Sequence, residues 1–338
     1  MEDPVEDPVE DKDVSHLQIL PKALVHKDGF DDVFLTSFAV RGPRESVLGA
    51  TLPRSHGFYC ELPVSNRVPD LATLIEICRQ ACFVVAHEQF DVPLGGAADA
   101  KFLMRELSGE FVDTTPFDTD EPVNVAVDCE VEHVVRRAGQ ISGLVWAFTV
   151  RVGEVVAGRA RMAQTLMSRT VWGQLRGRLR TERGLPTRMA EVRPPGPSEL
   201  APADVGRLNP DNVVLTAVSE GDGGYQALIR ADLRHPVMFD HPADYIFAMV
   251  QLEACRQLSL VAASRRLAVP ATRLEMCGVT AEYRAVAEFD LPTVLHARFS
   301  ATPAADRSYL RLDVDATQQG RVVSTFGMSV RPSAGAHT

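Results

Sequence analysis

The hydrophobic pattern of this chain contains one apolar helix twice. Residues 74–93 read LIEICRQACFVVAHEQFDVP, and residues 251–270 read QLEACRQLSLVAASRRLAVP. Both stretches are apolar on nearly every face, which is typical of a helix that is buried on all sides. Each nevertheless carries a Glu, an Arg and a Gln in the same order, at an offset of 177 and without a gap. The pattern therefore predicts two buried helices that each hold charged groups in the core.

Alternating apolar and polar residues follow both helices and predict strands. The alternation is clearest in VNVAVDCEVEHVVRR, and turn residues separate the successive runs. Asp70 and Asp244 precede the helices and are predicted to be their N-caps. The expected strands lie at about 101–113, 122–136, 140–152 and 154–167 in the first half, and at about 273–285, 292–301, 307–316 and 320–331 in the second.

The repeat extends beyond the helices. VFLTSF at 33–38 resembles VVLTAV at 213–218, and His56 aligns with His235. Such self-similarity indicates a duplication. A long buried helix followed by an antiparallel meander is the hotdog pattern, so two copies predict an α+β double hotdog. We expect the two sheets to pair edge to edge, because pairing removes exposed strand edges.

The repeats divide the chain into predicted segments. The first 13 residues hold seven acids and one lysine and have little to bury, which predicts disorder. The segment between the repeats is rich in arginine and proline and has no consistent period. The predicted segments are a disordered acidic tail at 1–19, a first hotdog domain at 20–167, a linker at 168–210, a second hotdog domain at 211–332 and a short tail at 333–338.

Composition narrows the function classes. The 338 residues are 45% hydrophobic and 24% charged, as in a soluble globular protein of two domains. The net charge of −10 argues against nucleic acid as the main partner. We expect no membrane span, no signal peptide, no metal or redox cofactor, and a cytoplasmic location. The seven arginines between 169 and 193 predict either a solvated surface or a docking patch for an acidic partner such as acyl carrier protein or coenzyme A.

The strongest candidate for chemistry is the charged pair in each helix. Glu76 and Arg79, like Glu253 and Arg256, are three residues apart and therefore neighbours on one face. A buried structural ion pair is the simplest interpretation, but such pairs stabilise proteins poorly. Its presence at matching places in both halves favours a site. The arginine could bind a phosphate or an oxyanion, and the glutamate could act as a general base for a hydroxyl.

Other polar residues are weaker candidates. Gln80 and Gln257 could bind a substrate carbonyl or could satisfy backbone groups. His56, His235 and His241 lie in loops before the helices, where they could contact substrate or could hold a turn. The cysteines in the helices are expected to be buried and unreactive.

At this point the sequence resembles a known family. RSHGFY followed by the first helix, and RHPVMFDHPADYIFAMVQLEACRQ, resemble the A-factor biosynthesis hotdog proteins of actinomycetes over about residues 20–331. The resemblance implies an acyltransferase that joins a β-ketoacyl thioester, on acyl carrier protein or coenzyme A, to the hydroxyl of dihydroxyacetone phosphate. The product would be the precursor of a γ-butyrolactone or butenolide signal. It implies a monomeric pseudo-dimer or a homo-oligomer. The residues that it implies as catalytic are Glu76, Arg79, Glu253 and Arg256.

One segment departs from the family pattern. Where the family has a D-H-(apolar)-P-G-M run before the second helix, this chain has DYIFAM at 244–249. Tyr245 could still donate a hydrogen bond to substrate, whereas Phe247 and Ala248 are expected to narrow the entrance to the second site. The first site is therefore favoured. The alternatives are a hotdog thioesterase or dehydratase that relies on His56 or His235, and a non-catalytic relative that binds acyl ligands.

Overall fold

A computed structural model describes residues 13–61, 68–95, 99–221, 223–301 and 308–333. Most of the tail predicted at 1–19, and all but the first residue of the tail predicted at 333–338, lie outside the described residues. The described end of the first tail contacts the sheet, because the backbone N–H of Ser15 donates to Ser37 Oγ at 2.9 Å.

The two halves repeat one order of helices and strands. All eight predicted strands after the helices are confirmed, with ends that shift by at most three residues. The first half contains β1 (Leu35–Val40), β2 (Glu45–Thr51), α1 (Leu71–Glu88), β3 (Ala100–Phe111), β4 (Asn124–Arg137), β5 (Gln140–Val152) and β6 (Val155–Ser168). After helix α2 (Arg169–Glu182), the second half contains β7 (Leu215–Gly221), β8 (Gly224–Ile229), α3 (Ala248–Leu267), β9 (Leu274–Tyr283), β10 (Val294–Phe299), β11 (Leu310–Gln318) and β12 (Arg321–Pro332).

All twelve strands form one antiparallel sheet in the order β1-β2-β4-β5-β6-β3-β9-β12-β11-β10-β8-β7. At its centre β3 pairs with β9, for example Ser108 with Thr280. This pairing joins the two halves and confirms the edge-to-edge arrangement, so one chain forms the double hotdog. A two-residue turn closes the β4–β5 hairpin, and Ala138 and Gly139 both have positive φ, as the right-handed twist of a two-residue hairpin requires.

The two long helices lie in the core, as their apolar pattern predicts. In α1 only Arg79 and Glu88 are not buried. Asp70 caps this helix, as predicted, by accepting from the backbone N–H of Ala72 at 3.0 Å. The predicted cap of the second helix is wrong: Phe247 holds the N-cap position of α3, and Asp244 instead accepts from the indole of Trp172 at 3.1 Å.

The segment predicted as an irregular linker begins with helix α2. Two of its arginines are buried and share one acid: Arg176 makes two bonds to Glu288 at 2.6 and 2.7 Å, and Arg180 makes one at 2.7 Å. Each also has a second acid, Asp244 at 3.2 Å from Arg176 and Asp290 at 2.7 Å from Arg180. The solvated-surface interpretation is therefore wrong for these two arginines, although Arg178 is exposed. Pairing explains the burial, because guanidinium groups enter a protein interior only with a partner. Within the described ranges, no helix combines the length and apolarity needed to cross a membrane.

Candidate functional site

Glu76 lies at the centre of a buried network that we call the first charge cluster: Glu76, Arg79, Gln80 and Lys27. Arg79 makes a two-pronged ion pair with the Glu76 carboxylate, at 2.6 and 2.8 Å. The Gln80 amide donates to the same carboxylate at 3.0 Å, and Lys27 Nζ lies 3.3 Å from it. Glu76 is 1% exposed, so this carboxylate has exchanged water for two cations and an amide.

Glu253 forms a second charge cluster of the same design with Arg256, Gln257 and Arg207. Arg256 binds the Glu253 carboxylate at 2.7 and 3.1 Å, and Gln257 donates to it at 2.6 Å. Arg207 adds a further guanidinium at 2.9 Å. The structure therefore brings each predicted Glu, Arg and Gln together in its own half.

Lys27 and Arg207 are members of these clusters that the sequence analysis missed. They stand 180 residues apart, the same offset as VFLTSF and VVLTAV, so extending that repeat upstream would have found them. The residue before each has left-handed backbone, with φ of 56° at His26 and 70° at Gly206. Arg207 falls inside the predicted linker at 168–210, which shows that the second repeat begins upstream of residue 211.

Each cluster also receives an acid from the opposite half. Asp240, in the loop before α3, lies 3.4 Å from Lys27 Nζ. Glu61, at the corresponding place before α1, lies 3.4 Å from Arg207 Nη1. Because these contacts cross between the repeats, neither half by itself would contain a complete cluster.

Of the polar candidates for substrate binding, His241 lines the larger cavity described below, whereas Gln80, Gln257, His56 and His235 line neither of the two cavities. Gln80 accepts from the backbone N–H of Phe34 and donates to the backbone oxygen of Asp32, so its amide satisfies backbone groups and orients Glu76. Gln257 has equivalent bonds in the second half.

The two aligned histidines hold their loops. His56 Nε2 is 3.1 Å from Asp32 Oδ1, while its Nδ1 accepts from two backbone N–H groups. His235 has the same arrangement with Asn212. Both ring nitrogens of both residues are occupied, and neither histidine lines a cavity among the described residues. The geometry therefore does not support substrate binding by His56 or His235.

A cavity of about 470 Å³ opens onto the first charge cluster, and we call it the first cavity. Its wall is built by both halves, because α1 and β3 meet the loop before α3 there. Apolar and aromatic side chains share this wall with many charged groups, so the cavity is more polar than most small-molecule sites. Its wall includes Glu76, Arg79, Phe83, Lys101, Tyr245 and Phe247. A second cavity, of about 230 Å³, lies beside Arg256, with Glu61, Asp70 and Glu275 in its wall.

The replacements before the second helix belong to the first cavity. Tyr245, Phe247, Ala248 and Met249 all line it. The expectation that they border the second site alone is therefore wrong, because Glu76 and Arg79 of the other half line the same cavity. Glu253 and Arg256 of the second cluster line the cavity as well.

The arginines of the two clusters differ in availability. The Arg79 side chain is 15% exposed and lines the first cavity, and Glu76 is its one acid partner within ion-pair distance among the described residues. The Arg256 side chain is 3% exposed and has a second acid, Asp70, at 3.5 Å. Asp70 stands at the N-cap of α1, whereas the equivalent N-cap of α3 is Phe247. An incoming anion thus meets a more accessible guanidinium in the first cluster.

The charges shift the pKa of both glutamates in the same direction. Burial by itself would raise the pKa of Glu76, but attraction to Arg79 and Lys27 outweighs it and holds the pKa below its usual range. Arg207 and Arg256 do the same for the pKa of Glu253. Both carboxylates are therefore ionised at neutral pH and can accept a proton.

The helical thiols take no part in this chemistry. Burial raises the pKa of Cys78 and Cys82 well above the usual range, so neither forms a thiolate readily. This agrees with the prediction that they pack as small apolar groups.

Comparisons with known proteins identify the family. The model of the A-factor biosynthesis hotdog domain matches residues 10–168 and 189–333. A 2-oxo-3-(phosphooxy)propyl 3-oxoalkanoate synthase of Streptomyces virginiae is 29% identical over 93% of this chain and 98% of its own length. One of Streptomyces coelicolor is 32% identical over 90% of this chain and 89% of its own length. Among solved structures, the 12:0-ACP thioesterase from Umbellularia californica has a TM-score of 0.46 and 12% identity, over 87% of this chain and 99% of that one. The family model and the relatives span both halves, and the chain belongs to the A-factor biosynthesis hotdog family.

Proposed function

We propose that this chain transfers a β-ketoacyl group from a thioester to the hydroxyl of dihydroxyacetone phosphate. The product is a phosphorylated β-ketoacyl ester, the precursor of a γ-butyrolactone or butenolide signal. Relatives that cover most of the chain are named for such a product. The structural observation that carries the proposal is the Glu76–Arg79 pair, a buried carboxylate and a guanidinium that together line a cavity.

The reaction needs one proton acceptor and one group that stabilises negative charge. Glu76 takes the proton of the acceptor hydroxyl while the hydroxyl oxygen attacks the thioester carbonyl carbon, and a C–O bond forms. Arg79 stabilises the oxyanion of the tetrahedral intermediate. The C–S bond then breaks, and the proton held by Glu76 passes to the leaving thiolate. The products are the ester and a free thiol, so the atoms and electrons balance.

Substrate binding is expected to activate Glu76. In the structure Arg79 occupies both oxygens of this carboxylate and lowers its pKa, which makes Glu76 a weak base. An anionic substrate that engages Arg79 would weaken the pair. The pKa of Glu76 would then rise toward the value that its burial favours, and a proton would transfer more readily.

The first cavity suits both reactants. Its volume of about 470 Å³ falls within the usual range for small-molecule sites. Phe58, Phe83, Met104 and Met249 supply apolar wall for an acyl chain. The thioester carbonyl and the hydroxyl would meet beside Glu76 and Arg79 in the same wall.

The experiment measures what the thiol release depends on. The purified chain is incubated with a β-ketoacyl thioester on coenzyme A, and in parallel on acyl carrier protein, each with and without dihydroxyacetone phosphate. We expect thiol release that requires the phosphate, together with a product of the mass of the ester. Thiol release at the same rate without dihydroxyacetone phosphate would indicate a thioesterase instead. Binding without any turnover would indicate a non-catalytic relative.

A further inference from the structure

Lys101 is a cation of the first cavity that the proposed reaction has not used. It is the second residue of β3, and its side chain lines the cavity. Its ammonium nitrogen lies over three aromatic rings, 5.1 Å from the centroid of Tyr245, 5.5 Å from that of Phe247 and 5.9 Å from that of Trp172. Ring faces attract an ammonium group but provide no oxygen atom to accept its hydrogen bonds.

Lys101 differs from the neighbouring cations in having no acid partner. Across the ranges that the structure describes, no carboxylate lies within ion-pair distance of Lys101. Burial lowers the pKa of this lysine, and the attraction of the more distant Asp244 and Asp99 offsets that effect only in part. A bound anion would restore the favourable surroundings of its charged form. The other cations of the cavity are all paired, namely Arg79 with Glu76, Lys27 with Glu76 and Asp240, Arg169 with Asp99, and Arg256 with Glu253 and Asp70.

The corresponding place in the second half has the opposite charge. Lys101 lies opposite Met167 at the end of the β3–β6 ladder, and Glu275, the second residue of β9, lies opposite Arg331 at the same point of the β9–β12 ladder. Glu275 lines the second cavity and binds Arg331 at 2.6 Å. A phosphate would meet an unpaired ammonium in the first cavity and a carboxylate in the second.

We propose that Lys101 binds the phosphate group of the acceptor substrate and thereby restricts the acceptor to the first cavity. This inference rests on the proposed function, since it names the residue that recognises dihydroxyacetone phosphate. A lysine suits the task because its ammonium is a compact charge with three donors that can turn toward phosphate oxygens. The thioester carrier also contains phosphate, so the test separates these two sources.

The test uses Lys101→Met, which removes the charge and keeps the length of the side chain, and Lys101→Arg, which restores a cation. Lys22→Met is the matched control, because Lys22 lies outside both cavities. Losing a charge-assisted bond predicts a rise in the KM for dihydroxyacetone phosphate of about 10- to 100-fold in Lys101→Met. The KM for the thioester should stay unchanged. Lys101→Arg should recover most of the affinity, and Lys22→Met should behave like the wild type.

Unphosphorylated dihydroxyacetone provides the second arm. If Lys101 acts on the phosphate, wild type and Lys101→Met should use this poorer acceptor equally well. The inference is overturned if the KM for dihydroxyacetone phosphate does not change, or if the KM for both acceptors rises alike. A rise in the KM for the thioester alone would assign Lys101 to the phosphate of the carrier and would overturn it too.

A binding measurement separates this inference from the proposed function. Calorimetric titration with inorganic phosphate and with dihydroxyacetone phosphate needs no turnover. Should the wild type show no acyl transfer, binding of both ligands that is lost in Lys101→Met would still establish the phosphate site. Equal binding by the wild type and Lys101→Met would refute the site whatever the enzyme does.

Discussion

Replacing Glu76 by Gln is the sharpest test of the first charge cluster. The carboxylate is 1% exposed, accepts two bonds from Arg79 at 2.6 and 2.8 Å, and lies 3.3 Å from Lys27. Removing one partner of a buried ion pair costs about 3–5 kcal/mol of unfolding free energy, because the remaining charge stays desolvated. Lys27 keeps its contact with Asp240, and Arg79 keeps partial access to water. We therefore expect the free energy of unfolding to fall by about 3 kcal/mol.

Glu253→Gln is the matched variant. Arg256 would keep Asp70, and Arg207 would keep Glu61, so the loss of stability in Glu253→Gln should be similar to that of Glu76→Gln or smaller.

At about 2 °C for each kcal/mol, the thermal midpoint of Glu76→Gln should fall by roughly 6 °C. Both variants should therefore remain folded at assay temperature, as circular dichroism would verify.

The activities of these two variants should differ far more than their stabilities. Loss of a general base lowers kcat by about 100- to 10,000-fold, and we expect this loss in Glu76→Gln. Glu253→Gln should keep most of its kcat. Its partner Arg256 lies between two acids, Glu253 and Asp70, and is therefore less available to substrate than Arg79. The assay is the rate of ester formation from β-ketoacyl thioester and dihydroxyacetone phosphate. Full activity in Glu76→Gln, or an equal loss in both variants, would refute the assignment of catalysis to the first cluster.

Two further predictions concern stability. Glu288→Gln should lower the free energy of unfolding by about 3 kcal/mol without changing KM, because Glu288 is 0% exposed, binds Arg176 and Arg180, and lies outside both cavities. Arg176 keeps Asp244 and Arg180 keeps Asp290, which limits the loss; denaturant titration with no change in midpoint would contradict this. His26 stacks on Phe83, and its burial lowers its pKa from 6.5 to about 3. Below pH 6.5 the unfolded chain binds a proton at His26, whereas the folded chain does so only near pH 3. The free energy of unfolding therefore falls with pH in this window, by up to about 1.4 kcal/mol for each pH unit. His26→Asn should flatten this pH dependence. An identical slope in both proteins would argue against that assignment.

Much of the fold follows from short-range patterns in the sequence. The apolar helices and the alternating strands, with turn residues between them, could be predicted, because their periods arise from local backbone geometry. The repeat predicted the pairing of the two halves. Even the association of each Glu with its Arg and Gln could be predicted, since residues three and four apart on a helix must be neighbours.

The function of polar side chains outside the helices could not be predicted in the same way. His56 was a candidate for binding substrate, but its ring holds a loop against Asp32. The role of Lys27 could not be predicted from a periodic pattern, because a single lysine before a strand has none, although its offset from Arg207 matches that of the repeat. Sequence order places Phe247 at the second site, because a segment is expected to contact the helix that follows it. In the structure Phe247 lines a cavity that also holds Glu76 and Arg79.

The sequence by itself determined the two-fold architecture and the Glu, Arg and Gln of each cluster. Only the tertiary structure decided that Asp70 lies beside Arg256 and that Glu288 pairs with two arginines of α2. It also decided that Lys101 faces the first cavity without an ion-pair partner among the described residues. The physical reason is that a buried charge depends on whichever partner the packing brings within a few ångströms. Such partners are often more than a hundred residues away along the chain, as Arg176 and Glu288 are, and no local pattern encodes them.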